Sequence, residues 1–198
     1  MSSFINIQER LKTGDLILFS GKGAASTGIK WGTFSKWSHV GMILKLKQYD
    51  FLTIWESTTL TNIKDLETGD YIRGVQLVPL SQRVSRYSGN IAVRQLNGAE
   101  ITESHIEKLM KLRENLKGKK YESDQIELLK SAYDGPGGLN KEDLSSLFCS
   151  ELVAEAYQAL GLLDENMPSN EFTPADFSEQ GSIKLNRNAE LGKEILLK

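Results

Sequence analysis

The sequence predicts an α+β fold, strands first and helices second, and three observations carry the prediction. Short apolar runs separated by turn-prone residues fill the first half. From Ser104 onward the apolar spacing changes to a helical one. A lone cysteine, Cys149, sits in Leu147-Phe148-Cys149-Ser150-Glu151-Leu152-Val153, at the opening of an apolar-periodic helix.

Taken in order, Gly14-Asp15 opens a compact strand over 16–19, closed by the turn-prone residues 20–23. Residues 29–37 allow one irregular helical turn. Segments 39–46, 51–57, 74–80 and 91–96 read as four further strands, each apolar and bounded by turn residues. Ser104-His105-Ile106-Glu107 has the form of a capping box, and Ile106, Leu109, Met110 and Leu116 follow on one helical face. Lys117-Gly118-Lys119 stops that helix, and Gly135-Pro136-Gly137-Gly138 marks a break in a polar connection. The cysteine helix is expected to start at a Ser145 or Ser146 cap and to end at Gly161, a natural left-handed cap. A short helix is expected over 173–177, with threonine as its cap and proline in its first turn, and an edge strand over 194–197. Neither an internal repeat nor a dividing linker is visible, so residues 1–198 are expected to form one domain.

Composition narrows the functional classes. In 198 residues, 39% hydrophobic and 25% charged content is that of an ordinary globular chain. Lys and Arg number 24 against 26 Asp and Glu, for a net charge of −2, and the basic residues are scattered. No nucleic-acid partner is expected from that balance. A single cysteine makes no internal disulfide, which suits a reducing compartment or a thiol kept free for chemistry. No signal peptide or membrane-spanning run is visible, so the expected location is cytoplasmic. One cysteine and two distant histidines, His39 and His105, do not make a zinc site, and neither a P-loop nor a dinucleotide fingerprint is present. No metal and no cofactor are expected.

A thiol in the first helical turn faces unpaired N–H groups and the positive end of the helix dipole, both of which favour thiolate. Alone, Cys149 has a competing reading as a small apolar filler on the stripe Leu152, Val153, Ala156 and Leu160. His39, in the strand-like Trp37-Ser38-His39-Val40-Gly41-Met42, shifts the balance towards chemistry. The next strand offers it a partner. A turn centred on Lys47-Gln48 pairs Leu44 with Phe51, Ile43 with Leu52 and Gly41 with Ile54, which sets His39 opposite Glu56. A carboxylate inside the apolar run Ile54-Trp55-Glu56-Ser57 calls for such a partner, the competing reading being a rim carboxylate in water.

With these residues in place, the chain resembles the permuted papain-like amidases, the YiiX-like branch of the NlpC superfamily. The resemblance rests on Gly14-Asp15-Leu16-Ile17, Trp37-Ser38-His39-Val40-Gly41-Met42 and Trp55-Glu56-Ser57 in the first half. In the second half it rests on Gly118-Lys119-Lys120-Tyr121, on Phe148-Cys149-Ser150-Glu151-Leu152-Val153 and on residues 169–177. It covers roughly residues 14–180. It implies a curled antiparallel sheet or small β-barrel packed on the cysteine helix, with Cys149 as nucleophile, His39 as base and acid, and Glu56 orienting His39.

General chemistry then predicts cleavage of an amide through a thioester acyl-enzyme, on a small-molecule, peptide or acylated substrate of peptide, γ-glutamyl or acyl-lysine type. The Cys149 backbone N–H is a candidate oxyanion donor, and Trp37 and Ser38 are candidate substrate contacts beside the base, with a core tryptophan and an exposed serine as the competing readings. The competing classes are a lipid ester or thioester hydrolase or acyltransferase on the same triad, and an inactive ligand-binding module. No amphipathic membrane-surface helix is apparent, which disfavours a membrane-lipid substrate.

Overall fold

The computed structural model describes residues 2–21, 36–120 and 141–198. Its centre is an antiparallel sheet in the order β4-β3-β2-β1-β5-β8. These strands are β1 (Leu16–Ser20), β2 (His39–Leu44), β3 (Thr53–Thr58), β4 (Gly74–Pro79), β5 (Asn90–Arg94) and β8 (Ile195–Leu196). A two-stranded ladder of β6 (Leu96–Asn97) and β7 (Glu190–Leu191) stands beside it. Among the described residues the sheet does not close into a barrel. On its outer side β4 meets connecting segments rather than a strand, through a bridge from Gly74 to Lys120, the Val75 N–H bond to the Lys119 carbonyl, the Leu66 N–H bond to the Leu77 carbonyl and the Leu77 N–H bond to Asp65 Oδ1, and the other edge is the two-residue β8. Closure needs every strand to find a neighbour on both sides.

β1 to β4 are buried from end to end, because both faces of the sheet are covered. On one face Leu16, Leu18, Val40, Met42, Trp55 and Leu77 pack with the helical layer. On the other, Ile17, Phe19, Ile43, Ile54, Val78 and Val93 form a second core. The alternation of these residues along each strand is the period-two signature of a pleated strand. The first face carries α3 (Glu103–Leu116) and the cysteine helix α4 (Lys141–Ala159), the latter against β2 and β3. The second carries α1 (Ser2–Ile7) and α2 (Leu80–Arg86), through Phe4, Ile7, Leu80 and Val84.

Several expectations are corrected. α1 and α2 were not anticipated. The capping box of α3 is Thr102 with His105, whose Nδ1 accepts the Thr102 N–H at 3.2 Å in the place of the usual carboxylate or amide. Residues 174–177 are turns and not a helix, and the Asp176 carboxylate takes the Thr173 N–H at 2.8 Å and hydroxyl at 2.7 Å, so the cap runs backward. α4 does not begin at Ser145 or Ser146 but runs from Lys141, since Lys, Glu and Leu continue a helix readily and serine resists it only weakly. Its end is as expected, with Gly161 left-handed at φ +68°. The readings over 29–35 and 135–138 lie outside the described residues.

Gly14-Asp15 acquires a structural purpose. Buried Asp15 accepts the Lys12 N–H at 2.9 Å and the Leu96 N–H at 2.8 Å, tying the entry of β1 to β6. The Tyr157 hydroxyl of α4 donates to the Gly14 carbonyl at 2.7 Å. Together they fix α4 against the sheet. Asp15→Ala strands two N–H groups at a buried site and is expected to cost roughly 2–4 kcal/mol. Thermal unfolding measures this, and an unchanged melting temperature would show that the clamp carries no load.

Candidate active site

His39 is the first residue of β2, directly opposite Phe19 of β1. The preceding backbone is held in line by the Ser38 N–H bond to the Phe19 carbonyl at 2.9 Å. Phe19 also covers the ring, at 5.2 Å between centroids. His39 Nε2 lies 2.7 Å from Glu56 Oε2, so the expected pair is present. The expected register is not.

β2 and β3 pair Leu44 with Thr53, Ile43 with Ile54 and Met42 with Trp55, two residues on from the expected alignment. The connection is correspondingly longer. Exposed Phe51 and half-buried Leu52 belong to it rather than to the strand, and the Thr53 hydroxyl closes it on the Leu44 carbonyl at 2.7 Å. A shift of two keeps every side chain on its face, so Glu56 still shares a face with His39 but reaches it diagonally. Gly41 makes room for that reach. A Cβ there would stand 2.8 Å from Ile54 Cδ1 and 3.1 Å from Glu56 Cβ.

The carboxylate has a second partner that the sequence did not reveal. Arg83, on α2 and fully buried, donates from Nε to Glu56 Oε1 at 2.6 Å. Its Nη1 donates to Asn62 Oδ1 at 2.8 Å and its Nη2 to Gln76 Oε1 at 3.3 Å. Gln76 stands directly across from Glu56 on β4, with its Nε2 donating to the Leu60 and Ile72 carbonyls at 2.7 Å each. Every acceptor on this buried chain of polar groups therefore meets a donor.

Electrostatics follow from this packing. Burial alone would raise the Glu56 pKa, but the Arg83 charge and the His39 hydrogen bond and charge outweigh it, and the pKa is lowered. Burial alone would likewise neutralise His39. Cys149, by charge and hydrogen bond, and then Glu56 outweigh it, and the His39 pKa rises from 6.5 to about 9. His39 thus interacts with both Cys149 and Glu56, the three residues singled out from the sequence.

Cys149 is fully buried, in the core beside Leu152 and Val153. Next to it, the Ser150 hydroxyl donates to the Phe172 carbonyl at 2.5 Å, anchoring this turn of α4 to the 3-10 helix Ser169–Glu171. Because α4 runs from Lys141, Cys149 lies inside the helix and not in its first turn. Its N–H belongs to the helical ladder, so the expected helix-start oxyanion donor is not available there.

Trp37 and Ser38 are buried as well. The Trp37 indole N–H donates to Glu194 Oε1 at 2.7 Å, and Lys36 Nζ reaches Glu194 Oε2 at 2.7 Å. Both residues brace the approach to His39. His105 lies away from these groups, against Gly161 and Arg187. Among the described residues, no group of three or more His, Cys, Asp or Glu side chains is placed to hold a metal ion.

Residues 10–186 match the family described as permuted papain-like amidase enzyme, YaeF/YiiX, C92 family. The chain belongs to this family. The permuted papain-like amidases are enzymes of the cysteine-hydrolase type, and their fold is the one described above. A search of solved structures finds the crystal structure of metalloprotein yiiX from Escherichia coli O157:H7. It is 19% identical, with a TM-score of 0.49, over 94% of this chain and 96% of that one. No curated protein sequence matches. No helix among the described residues is long and apolar enough to cross a membrane.

The glycine at 41 offers a direct test of the site's geometry. Gly41→Ala is expected to cost about 1–3 kcal/mol through overpacking and to push Glu56 away from His39. Urea unfolding and NMR titration of His39 measure the two effects. An unchanged midpoint with an unchanged titration would contradict the close approach.

Proposed function

We propose that the protein is a cysteine hydrolase of amide bonds, with Cys149 as nucleophile, His39 as base and acid, and Glu56 as the residue that orients His39. The observation that carries this reading is the 2.7 Å contact of His39 Nε2 with buried Glu56, on a ring that also interacts with the Cys149 thiol. Glu56 occupies Nε2, which assigns Nδ1 to the thiol proton. The thiolate attacks the amide carbon, a C–S bond forms, and the tetrahedral adduct collapses with loss of the amine. That amine leaves with the proton from Nδ1. Water then adds to the thioester, giving a proton back to His39, and the carboxylic acid departs as the thiol re-forms. Throughout, Glu56 remains an anion whose charge favours imidazolium.

Membership of an amidase family supports amides over esters, and the substrate is a peptide, γ-glutamyl or acyl-lysine linkage in a small molecule, peptide or acylated chain. A thiol nucleophile must stay reduced, which supports a cytoplasmic place of action.

Cys149→Ala is expected to abolish hydrolysis of an amide panel while the fold persists. Turnover surviving in that variant would sink the proposal. With wild type, mass spectrometry is expected to find an acyl adduct on Cys149.

The pH dependence has a defined sign. A His39 pKa raised to about 9 keeps the ring protonated at neutral pH, and the proton leaves as pH rises through that value. Alkylation of Cys149 by iodoacetamide is therefore expected to speed up along a basic limb as pH rises through about 9, where His39 loses the proton that pairs with the sulfur. Glu56→Gln removes a charge that favours imidazolium, so this limb moves to lower pH and turnover falls by at least about tenfold. Steady-state kinetics and His39 titration read both effects. Equal pKa and equal rate in the two proteins would remove Glu56 from the triad.

A further inference from the structure

We infer that Arg83 is a positioning residue of the reaction: by occupying Glu56 Oε1 it holds the carboxylate as an anion and leaves Oε2 alone to face His39. This rests on the roles proposed above for His39 and Glu56. Three observations carry it beyond a generic ion pair.

The first is the division of the carboxylate, with Arg83 Nε at 2.6 Å on one oxygen and His39 Nε2 at 2.7 Å on the other. Each oxygen has one charged neighbour, so Glu56 has no room to rotate without losing both. The second is the isolation of the cluster. Among the described residues the charged groups facing Glu56 are His39 from β2 and Arg83 from α2, with Cys149 of α4 across the imidazole, while Gln76 of β4 and Asn62 are neutral. The third is the way the guanidinium is fixed. Asn62 and Gln76 accept its other N–H groups, and the two carbonyls bonded to Gln76 Nε2 turn the Gln76 oxygen towards it.

The physical reason lies in what a buried carboxylate does alone. Without a fixed cation it takes up a proton, and a neutral Glu56 offers His39 no charge to hold the imidazolium. His39 cannot be that cation, because it gives up its proton in the reaction. Arginine keeps its charge at every working pH. Arg83 thereby maintains Glu56⁻ through the part of the cycle in which His39 is neutral.

The test uses the intact protein and needs no substrate for its main readout. In wild type, the carbon-13 signal of the Glu56 carboxyl is expected to stay that of an anion through the pH range in which His39 titrates. In Arg83→Gln it is expected to titrate near neutrality, and the basic limb of Cys149 alkylation is expected to fall by about one pH unit or more. Once an amide substrate is in hand, kcat is expected to drop at least about tenfold with little change in KM. Glu56→Gln combined with Arg83→Gln is expected to alkylate like Glu56→Gln alone and to be more stable than either single variant, since no unpaired charge remains buried.

A lower melting temperature in Arg83→Gln with an unmoved limb would reduce Arg83 to a structural residue and overturn the inference. Should that variant fail to fold, the wild-type carboxyl signal decides: a Glu56 that takes up a proton alongside His39 overturns it equally. A wild-type Cys149 with no alkylation limb at all would instead sink the hydrolase reading itself.

Discussion

The structure turns on one buried anion. Glu56 has no exposed surface, yet it is ionised because an imidazole and a guanidinium meet it from different elements. A carboxylate that far from water is a heavy cost unless its charge and its lone pairs are both satisfied. Here one oxygen serves α2 and the other serves β2, so secondary elements distant in sequence are obliged to agree in space. The polar residues around it follow from the same demand. Gln76 and Asn62 complete the guanidinium, and the carbonyls of Leu60 and Ile72 complete Gln76.

The sheet supplies the frame in which these groups meet. Cys149 comes from the layer on one face, packed with Leu16, Leu18 and Met42, whereas α2 lies on the opposite face with Ile17, Ile54 and Val78. The nucleophile and the cation behind the acid are thus contributed by opposite layers. His39 connects them because it is the first residue of its strand, where the sheet ends. A histidine in mid-strand would have a neighbouring strand's backbone and side chains on both sides, and would be confined to one face. Asp15 and Tyr157 hold the helix to the sheet at the end of α4 away from Cys149.

Much of this was legible because it rests on short-range pattern. Alternation along 39–44 and 53–58 assigns His39 and Glu56 to one face, and face assignment survives an even slip in register. The register itself was not legible, since Phe51 and Leu52 have strand composition but belong to the connection. The cysteine helix and its end at Gly161 were readable from periodicity and a left-handed cap, but its start was not. Serine at 145 and 146 looks like a cap, and only the preceding residues' participation in the helix shows otherwise. Arg83 gave no local signal: in Leu80-Ser81-Gln82-Arg83-Val84-Ser85-Arg86 it is one of two arginines, and only the tertiary fold decides which is buried. Trp37 beside the base suggested a substrate contact, and its partner Glu194 lies far along the chain.

That last contact has a bearing on biosynthesis. Translation delivers the strands carrying His39 and Glu56 first, then Cys149, and only afterwards Glu194 and β8, which bind Trp37 and the side of β5. A nascent chain extended past the cysteine but short of Glu194 already contains every group of the triad. It lacks the brace on the residue two before the histidine. Completion of the brace therefore trails synthesis of the nucleophile, as expected for a topology built on contacts of long sequence separation. Such an order makes the full geometry of the thiol's surroundings a late product of the ribosome, formed after the segments it joins have left the exit site.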